Sequence, residues 1–360
     1  MRRAGSERAW ILLWAGILIL CTLVIPMILV KKGKVEISWL EPLDSPDPYE
    51  ELPTAEQPGE PTLYVPVYLS EQKRVEQVPL ELYVRGVVAA EMPPDFELEA
   101  LKAQAIAART YIVRKIVRQD FLKAPVPGAW VSDTVEDQAY ATEEQLMSRW
   151  GRRGYATNIS RINRAVAETR GLIITYEGEP IDATYFSTSN GYTENSEEYW
   201  SVEIPYLRSV ESPWDKELSP KYTTVIRMPL AEVMLKLGLQ EIPASTGSKL
   251  GMAVTARTSG NRIKTIVING TAYSGREVRE KLGLPSAEFT WRLSGDEIEF
   301  TTYGYGHGVG MSQYGANGMA MQGSRAEEIL TYYYQGVRVV HMNQINGWQA
   351  YAKRNAEGSS

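Results

Sequence analysis

The chain has one cysteine, Cys21, and only two histidines, His307 and His341. A single thiol excludes an internal disulfide framework and any cysteine-built metal centre. Two histidines without a ligand pair at helical spacing argue against zinc. No metal and no cofactor is therefore expected. Phenylalanine is scarce, at 5 residues against 21 tyrosines and 9 tryptophans. Tyr and Trp pair an apolar face with a polar edge, which suits sugar stacking and equally suits half-buried packing. Excess positive charge is missing as well: the net charge is −6 and the pI near 5.3. No basic patch of the kind that marks a nucleic-acid partner is present.

Long apolar runs are absent with one exception. Residues 9–30, AWILLWAGILILCTLVIPMILV, carry no charge over 22 positions. About 20 apolar residues span a bilayer as a helix. Arg2, Arg3 and Arg8 precede the run, and Lys31, Lys32 and Lys34 follow it. That balance gives little orientation. A very short leading segment, 1–8, and a large following region point to a cytoplasmic N-terminus and an extracytoplasmic domain. No small-x-small cleavage site follows, so a single-pass anchor is expected, not a removed signal peptide. Residues 31–62 read as a linker. Its 41–62 part holds six prolines and seven carboxylates, a composition that cannot bury enough surface to fold. The folded domain is expected over 63–345, with a mixed α/β subdomain at 229–302 and a tail at 346–360.

Within 79–111, PLELYVRGVVAAEMPPDFELEALKAQAIAARTY, the positions Leu80, Val84, Val88 and Glu91 share one helix face. A carboxylate ending an apolar stripe is unusual. Met92-Pro93-Pro94 stops that helix, because proline lacks the amide donor and restricts the residue before it. Glu91 thus falls in the last turn, near carbonyls with partial negative charge. Apolar surroundings and a helix C-terminus both disfavour ionisation, as a general acid near neutral pH requires. A solvent-facing Glu at a frayed end is the alternative. After the prolines Asp95 is an expected N-cap. Leu98, Leu101, Ala105, Ala108, Ile112 and Ile116 then form a core stripe. Lys102 and Arg109, seven apart, share another face, either solvated or lining a cleft beside Glu91.

The 126–165 stretch reads as loop-rich with a helix near 143–150. Two strands around an EGEP turn follow, then a polar loop with Ser187, Thr188, Ser189 and Asn190. Such short hydrogen-bonding groups suit a carbohydrate site or any surface turn. Asn269-Gly270 signals a hairpin, Ser274-Gly275-Arg276-Glu277 a helix cap, and 288–293 and 297–303 two strands. Glycines at 304, 306, 308 and 310 surround His307 and leave it little side-chain cover. It is a candidate ligand-facing residue, although a lone histidine is usually structural. The stretch lacks the register of a dinucleotide or phosphate loop. The mix of helices and antiparallel-looking strands gives an α+β fold class.

These segments resemble the stage II sporulation protein D family. The matching stretches are LELYVRGVVAAEMPPDFELEALKAQAIAARTY, DTVEDQAY (133–140), ATYFSTSNGYTENSEEYW (183–200), PYLRSVESPWD (205–215) and GHGVGMSQYGANGMA (306–320). The resemblance implies a membrane-anchored lytic transglycosylase acting on peptidoglycan glycan strands during forespore engulfment. It implies cleavage between N-acetylmuramic acid and N-acetylglucosamine in peptide-free strands, leaving 1,6-anhydro ends. It implies stage II sporulation proteins P and M as partners. Glu91 matches the catalytic glutamate. Lys102 and Arg109 match the basic helix positions, and Thr188, Ser189 and Asn190, with Ser187 beside them, the polar loop. His307, Gln313 and Tyr314 join them as expected substrate-binding residues. Some relatives bind zinc through Cys and His near the polar loop, which this chain lacks there. The domain also resembles amidase enhancers, which would make it a binding module without chemistry.

Overall fold

The computed structural model describes residues 63–121, 124–239 and 251–351. The expected membrane segment and its linker lie outside them. Among the described residues no helix is long and apolar enough to cross a membrane.

The chain opens with a hairpin of Tyr64–Leu69 (β1) and Arg74–Pro79 (β2), in register from Tyr64 opposite Pro79 to Leu69 opposite Arg74. Val65, Val67 and Leu69 alternate into the core. Pro79 hands the chain to Leu80–Glu91 (α1). Leu80, Val84 and Val88 of the expected stripe are buried, and so are Tyr83 and Val87 beside it. The helix stops at Met92, extended at φ −116° and ψ 143° as the residue before a proline must be. Leu98–Arg118 (α2) is alanine-rich, so other elements approach it closely on several sides. It packs against α1 and against later helices and strands, and forms the centre of the main core. Asp95 does not cap it. Glu97 takes the cap position without a side-chain bond, and the Glu97 N–H donates instead to Asn317 Oδ1 (2.8 Å). A tertiary contact has replaced the local one.

Val131–Ser132 (β3) adds to β1 in parallel. The helix expected near 143–150 runs much further, as Glu143–Glu168 (α3), with a kink at Gly151 (φ 67°). Its apolar stripe, Tyr155, Ile159, Ile162 and Val166, has helical spacing but is hidden among arginines on the outer face. Thr142 and Gln145 cap it reciprocally. Leu172–Tyr176 (β4) and Glu179–Pro180 (β5) follow, joined by Glu177 and Gly178, both at positive φ. Then come Tyr185–Phe186 (β6), Ser196–Trp200 (α4) and Asp215–Leu218 (α5).

Residues 223–303 build a second core. Thr223–Pro229 (β7), Leu230–Leu237 (α6), Met252–Arg257 (β8), Ile263–Ile268 (β9), Thr271–Ser274 (β10), Gly275–Leu282 (α7), Phe289–Ser294 (β11) and Glu297–Tyr303 (β12) form two antiparallel sheets and two helices. The sheet orders are β10-β9-β8 and β11-β12-β7. Val233, Leu237, Ile266, Val278, Phe289 and Phe300 fill the space between. Asn269 and Gly270, at φ 49° and 80°, make the expected hairpin turn. Ser274 Oγ caps α7 from the Glu277 N–H (3.0 Å).

The chain returns to the main core as Met311–Ser312 (β13), Gln313–Met321 (α8), Ala326–Tyr333 (α9) and Arg338–His341 (β14). β13 lies parallel to β6, and β14 antiparallel to β4 in a sheet of order β14-β4-β5. Residues 346–351 are helical, and Ile345 and Trp348 join the main core. The fold is thus a mixture of helices with mainly antiparallel sheets.

Candidate active site

Glu91 ends α1 half-buried, and its partners are all neutral. Oε1 accepts the Ala139 N–H (3.0 Å), and Oε2 accepts Gln313 Nε2 (3.4 Å). The Tyr185 hydroxyl also bonds the carboxylate. Desolvation raises the carboxyl above its ordinary range, and these three donors pull it only partly back. Among the described residues none of its partners is a cation or a second carboxylate. Two open surface depressions, one against Met319 and Tyr332 and one against Tyr140 and Arg149, lie elsewhere, and Glu91 lines neither. The desolvated carboxyl, not either depression, marks the site.

Three pieces of chain bring the donors to Glu91. The 133–141 loop crosses α1 at Gly86, where a Cβ would stand 2.3 Å from the Tyr140 ring. Tyr140 stacks on Tyr83 (5.6 Å), and Tyr83 OH donates to Gln138 Oε1 (3.3 Å). Gln138 Nε2 donates in turn to Tyr185 OH (3.0 Å). Tyr185 sits on β6 and Gln313 just beyond β13, so the parallel β6–β13 pair sets one against the other. Asp215, fully buried, fixes that pair. It accepts the Ser189 N–H (2.7 Å) and the hydroxyls of Ser212 (2.7 Å) and Ser312. Burial raises the Asp215 carboxyl too, but with no exposed surface it serves structure, not substrate.

The glycine-rich loop lets backbone pass where side chains would not fit. At Gly310 (φ 83°) a Cβ would lie 2.1 Å from Thr184 O, and at Gly308 (φ 88°) 2.4 Å from the Arg262 guanidinium carbon. His307 packs among Phe186, Tyr199 and Trp200, with centroids 5.5–5.7 Å away. Its Nδ1 accepts the Val309 N–H (3.0 Å), and it bonds the Tyr185 backbone. These contacts clamp the glycine-rich loop to β6. Desolvation pushes its pKa down to about 3, with Arg279 and Arg262 adding to the effect. The unfolded chain takes up a proton here below about pH 6.5, while the folded chain does so only near 3. Stability tied to neutral His307 is therefore complete above about pH 6.5 and is lost as pH falls toward 3. Between pH 6.5 and 4 the melting temperature of the wild type should fall more steeply than that of His307→Gln. Parallel curves would show that the imidazole is not held neutral.

Two expected site residues are elsewhere. Lys102 bonds Glu99 (2.7 Å) and Glu168 (2.5 Å), tying α2 to α3. Arg109 is fully buried, with a fork on Glu81 at 2.9 and 2.6 Å and a bond to Leu172 O (3.1 Å). Glu81 is in the first turn of α1, about 15 Å from Glu91 along the helix. The α2 residue that reaches the Glu91 cluster is Gln104, and it does so through Gln313. Gln104 Oε1 meets Gln313 Nε2 at 3.4 Å, and Gln104 Nε2 is buried without a partner. Neither cation touches Glu91.

The polar loop also has another task. Thr188 and Ser189 are fully buried, bonded to Ser219 Oγ (2.7 Å) and Ser212 O (2.9 Å). Ser187 Oγ meets Thr188 Oγ1 (3.2 Å). Asn190 donates to Gly260 O (2.9 Å). Glu194 holds Thr258 Oγ1 (2.6 Å), the Gly260 N–H (2.8 Å) and buried Arg262 (3.6 Å). The loop joins the second core to the first. Of the remaining expected residues, Gln313 reaches Glu91, and Tyr314 packs edge-on to Phe96 (4.9 Å) on the loop after it. Sequence reading missed Gln104, Gln138, Ala139 and Tyr185. Three of these lie on loops or a two-residue strand, where periodicity carries no signal. The fourth is an uncharged residue within an alanine run.

A family model described as "Stage II sporulation protein" matches residues 68–176, which include Glu91 and the Ala139 loop. Stage II sporulation protein D of Bacillus amyloliquefaciens is 52% identical over 286 residues, covering 78% of this chain and 81% of that protein. Stage II sporulation protein D of Bacillus subtilis (strain 168) is 51% identical over 275 residues, covering 76% and 78%. A protein of the same organism named amidase enhancer is 30% identical over 302 residues, covering 70% of this chain but 39% of its own length. Half the residues are shared with the two sporulation proteins across most of both chains, and the chain belongs to the stage II sporulation protein D family.

Proposed function

We propose that this protein is a peptidoglycan lytic transglycosylase, anchored by residues 9–30 with its folded domain outside the cell membrane, acting in forespore engulfment. Its bond is the β-1,4 link between N-acetylmuramic acid and N-acetylglucosamine in peptide-free strands. Stage II sporulation proteins P and M are its proposed partners. The observation that carries this reading is Glu91: one half-buried carboxyl at the end of α1, its pKa raised by desolvation, with partners that are all neutral. Glycosidases that use water place two carboxylates across the bond. A lytic transglycosylase requires one. Glu91 protonates the leaving oxygen, and the muramic 6-hydroxyl attacks the anomeric carbon while giving its proton to ionised Glu91. The attacking group is already part of the substrate, so holding the sugar in one conformer supplies much of the acceleration. Ala139, Gln313 and Tyr185 stabilise the carboxylate between those two steps.

The test is mass analysis of fragments from peptide-free strands incubated with the soluble domain. Anhydro-ended fragments support the reading, and hydrated reducing ends exclude it. The relative named amidase enhancer favours a second reading, a binding module that stimulates an amidase. Glycan bound intact, with an amidase stimulated equally by wild type and Glu91→Gln, would select that one. The acid step also sets a pH dependence. Activity should fall as pH rises through the raised pKa of Glu91, so the alkaline limb of the rate profile lies above the ordinary carboxylate range. His307, at about 3, adds no limb between pH 5 and 8.

A further inference from the structure

Glu91 Oε1 is met by a backbone amide at 3.0 Å, and a backbone amide is placed only as well as its loop. From 133 to 139 that loop has few bonds of its own. The Asp137 N–H reaches Thr134 O (3.2 Å), and the Tyr140 N–H reaches Asp133 O (3.2 Å). Asp133 ties the start of the loop to the β1 hairpin, its N–H donating to Tyr68 O (3.0 Å) and its carboxylate accepting the Ser70 N–H (3.1 and 3.2 Å), and the Asp137 side chain ties down the far half. Oδ1 accepts Tyr111 OH (2.8 Å) and Lys115 Nζ (2.5 Å), both from α2. Oδ2 accepts the Ser132 N–H (2.8 Å) and Ser132 Oγ (3.2 Å) at the end of β3. Lys115 Nζ also reaches Trp130 O (3.2 Å). The Lys115 and Asp137 side chains are only 12% and 10% exposed. Burial raises the Asp137 carboxyl, but Lys115 and Ser132 outweigh it and hold it ionised. Four donors thus converge on one carboxylate two residues before Ala139.

We propose that Asp137 is a positioning residue, which through Tyr111, Lys115 and Ser132 holds the 133–139 turn so that the Ala139 N–H meets Glu91 Oε1. The same tether aims Gln138 at Tyr185 and Tyr83. The inference rests on Glu91 being the working carboxyl of the proposed reaction. Asp137 itself touches no part of Glu91. Its influence passes through one amide, whose hydrogen bond favours the ionised form. The other titratable groups facing Glu91 are Tyr83 of α1 and Tyr185 of β6. Burial pushes both well above the ordinary tyrosine range, so they stay neutral. α2 and α8 present Gln104 and Gln313, which do not titrate. Among the described residues no neighbouring group titrates alongside Glu91, so its midpoint reports on the loop that places the Ala139 N–H and, through Gln138, Tyr185.

The experiment follows that titration in wild type, Asp137→Ala and Tyr111→Phe, using side-chain carboxyl NMR with Glu91→Gln to assign the signal. Losing one hydrogen bond to a charged carboxylate corresponds to about one pH unit. Asp137→Ala should raise the Glu91 midpoint by about that much, and Tyr111→Phe by less. On peptide-free strands kcat should fall about tenfold with KM unchanged, and the alkaline limb should move with the midpoint. Tyr111→Phe keeps the shape of the ring and reads the proposal even where Asp137→Ala does not fold. An unmoved Glu91 midpoint in a folded variant overturns the proposal, whatever happens to activity. Absence of cleavage by wild type, with the midpoint moving as expected, instead removes the transglycosylase reading and leaves the tether standing.

Discussion

Glu91→Gln is expected to lower glycan cleavage by at least about 10²- to 10⁴-fold, the range that a positioned proton donor contributes. The amide keeps the carbonyl oxygen that accepts the Ala139 N–H (3.0 Å) and loses the transferable proton and the acceptor for Gln313 Nε2 (3.4 Å). Strand binding should survive. The stability change has a definite sign. The folded carboxyl has a raised pKa, so the unfolded chain loses its proton first as pH rises. Above the unfolded pKa the ionisable side chain thus works against folding, and below it this cost vanishes. Glu91→Gln removes the cost. At neutral pH the variant should melt at or above the wild-type temperature, and the gap should close as pH falls below the ordinary carboxylate range. A variant that melts well below wild type, with cleavage lost in proportion, would make Glu91 a fold residue and not a catalytic one. Fragment analysis and melting curves on one preparation separate these outcomes.

Glu91 was legible in the sequence because three local signals agreed: helical spacing, an apolar stripe and a proline stop. The main helices and most strands of the second core were legible for the same reason. Leu98 to Ile116 kept its period, and Asn269-Gly270 and Ser274 carried turn and cap chemistry. Helix α3 was underestimated because arginines interrupt its stripe and Gly151 breaks its geometry. The companions of Glu91 were illegible for a different reason. Ala139 acts through its backbone, so its side chain carries no information. Tyr185 and Gln313 are 128 residues apart in sequence and meet only through the β6–β13 pair. His307 shows a limit of composition. Glycines on both sides remove side-chain cover along the chain, but Phe186, Tyr199 and Trp200 supply it from elsewhere. The polar loop was read correctly as a dense set of hydrogen-bonding groups. Its partners turned out to be the chain itself.

Arg109→Ala is expected to destabilise the fold by about 3–5 kcal/mol while leaving the pH dependence of cleavage per folded molecule unchanged. Arg109 is 0% exposed, and its fork on Glu81 is bidentate, the geometry that makes such pairs strong. Removing the guanidinium leaves Glu81, only 15% exposed, without its counter-charge, and Leu172 O without its donor. It also leaves a hole where α1, α2 and β4 meet. At roughly 2–4 °C per kcal/mol for a domain of this size, the melting temperature should fall by roughly 10 °C. Arg109→Lys keeps charge but not the fork, so it should fall in between. Lys102→Met is the control. Its partners Glu99 and Glu168 are 32% and 38% exposed, and such pairs contribute less than about 1 kcal/mol. A helix position matched by family resemblance alone does not separate a cleft cation from a buried strut. Here the strut predicts lost stability, with cleavage per folded molecule retained. The cleft cation predicts the reverse: an unchanged melting temperature, lost cleavage and a displaced alkaline limb. A melting curve and a pH–rate profile of Arg109→Ala decide between them, and the 0% exposure of the guanidinium favours the strut.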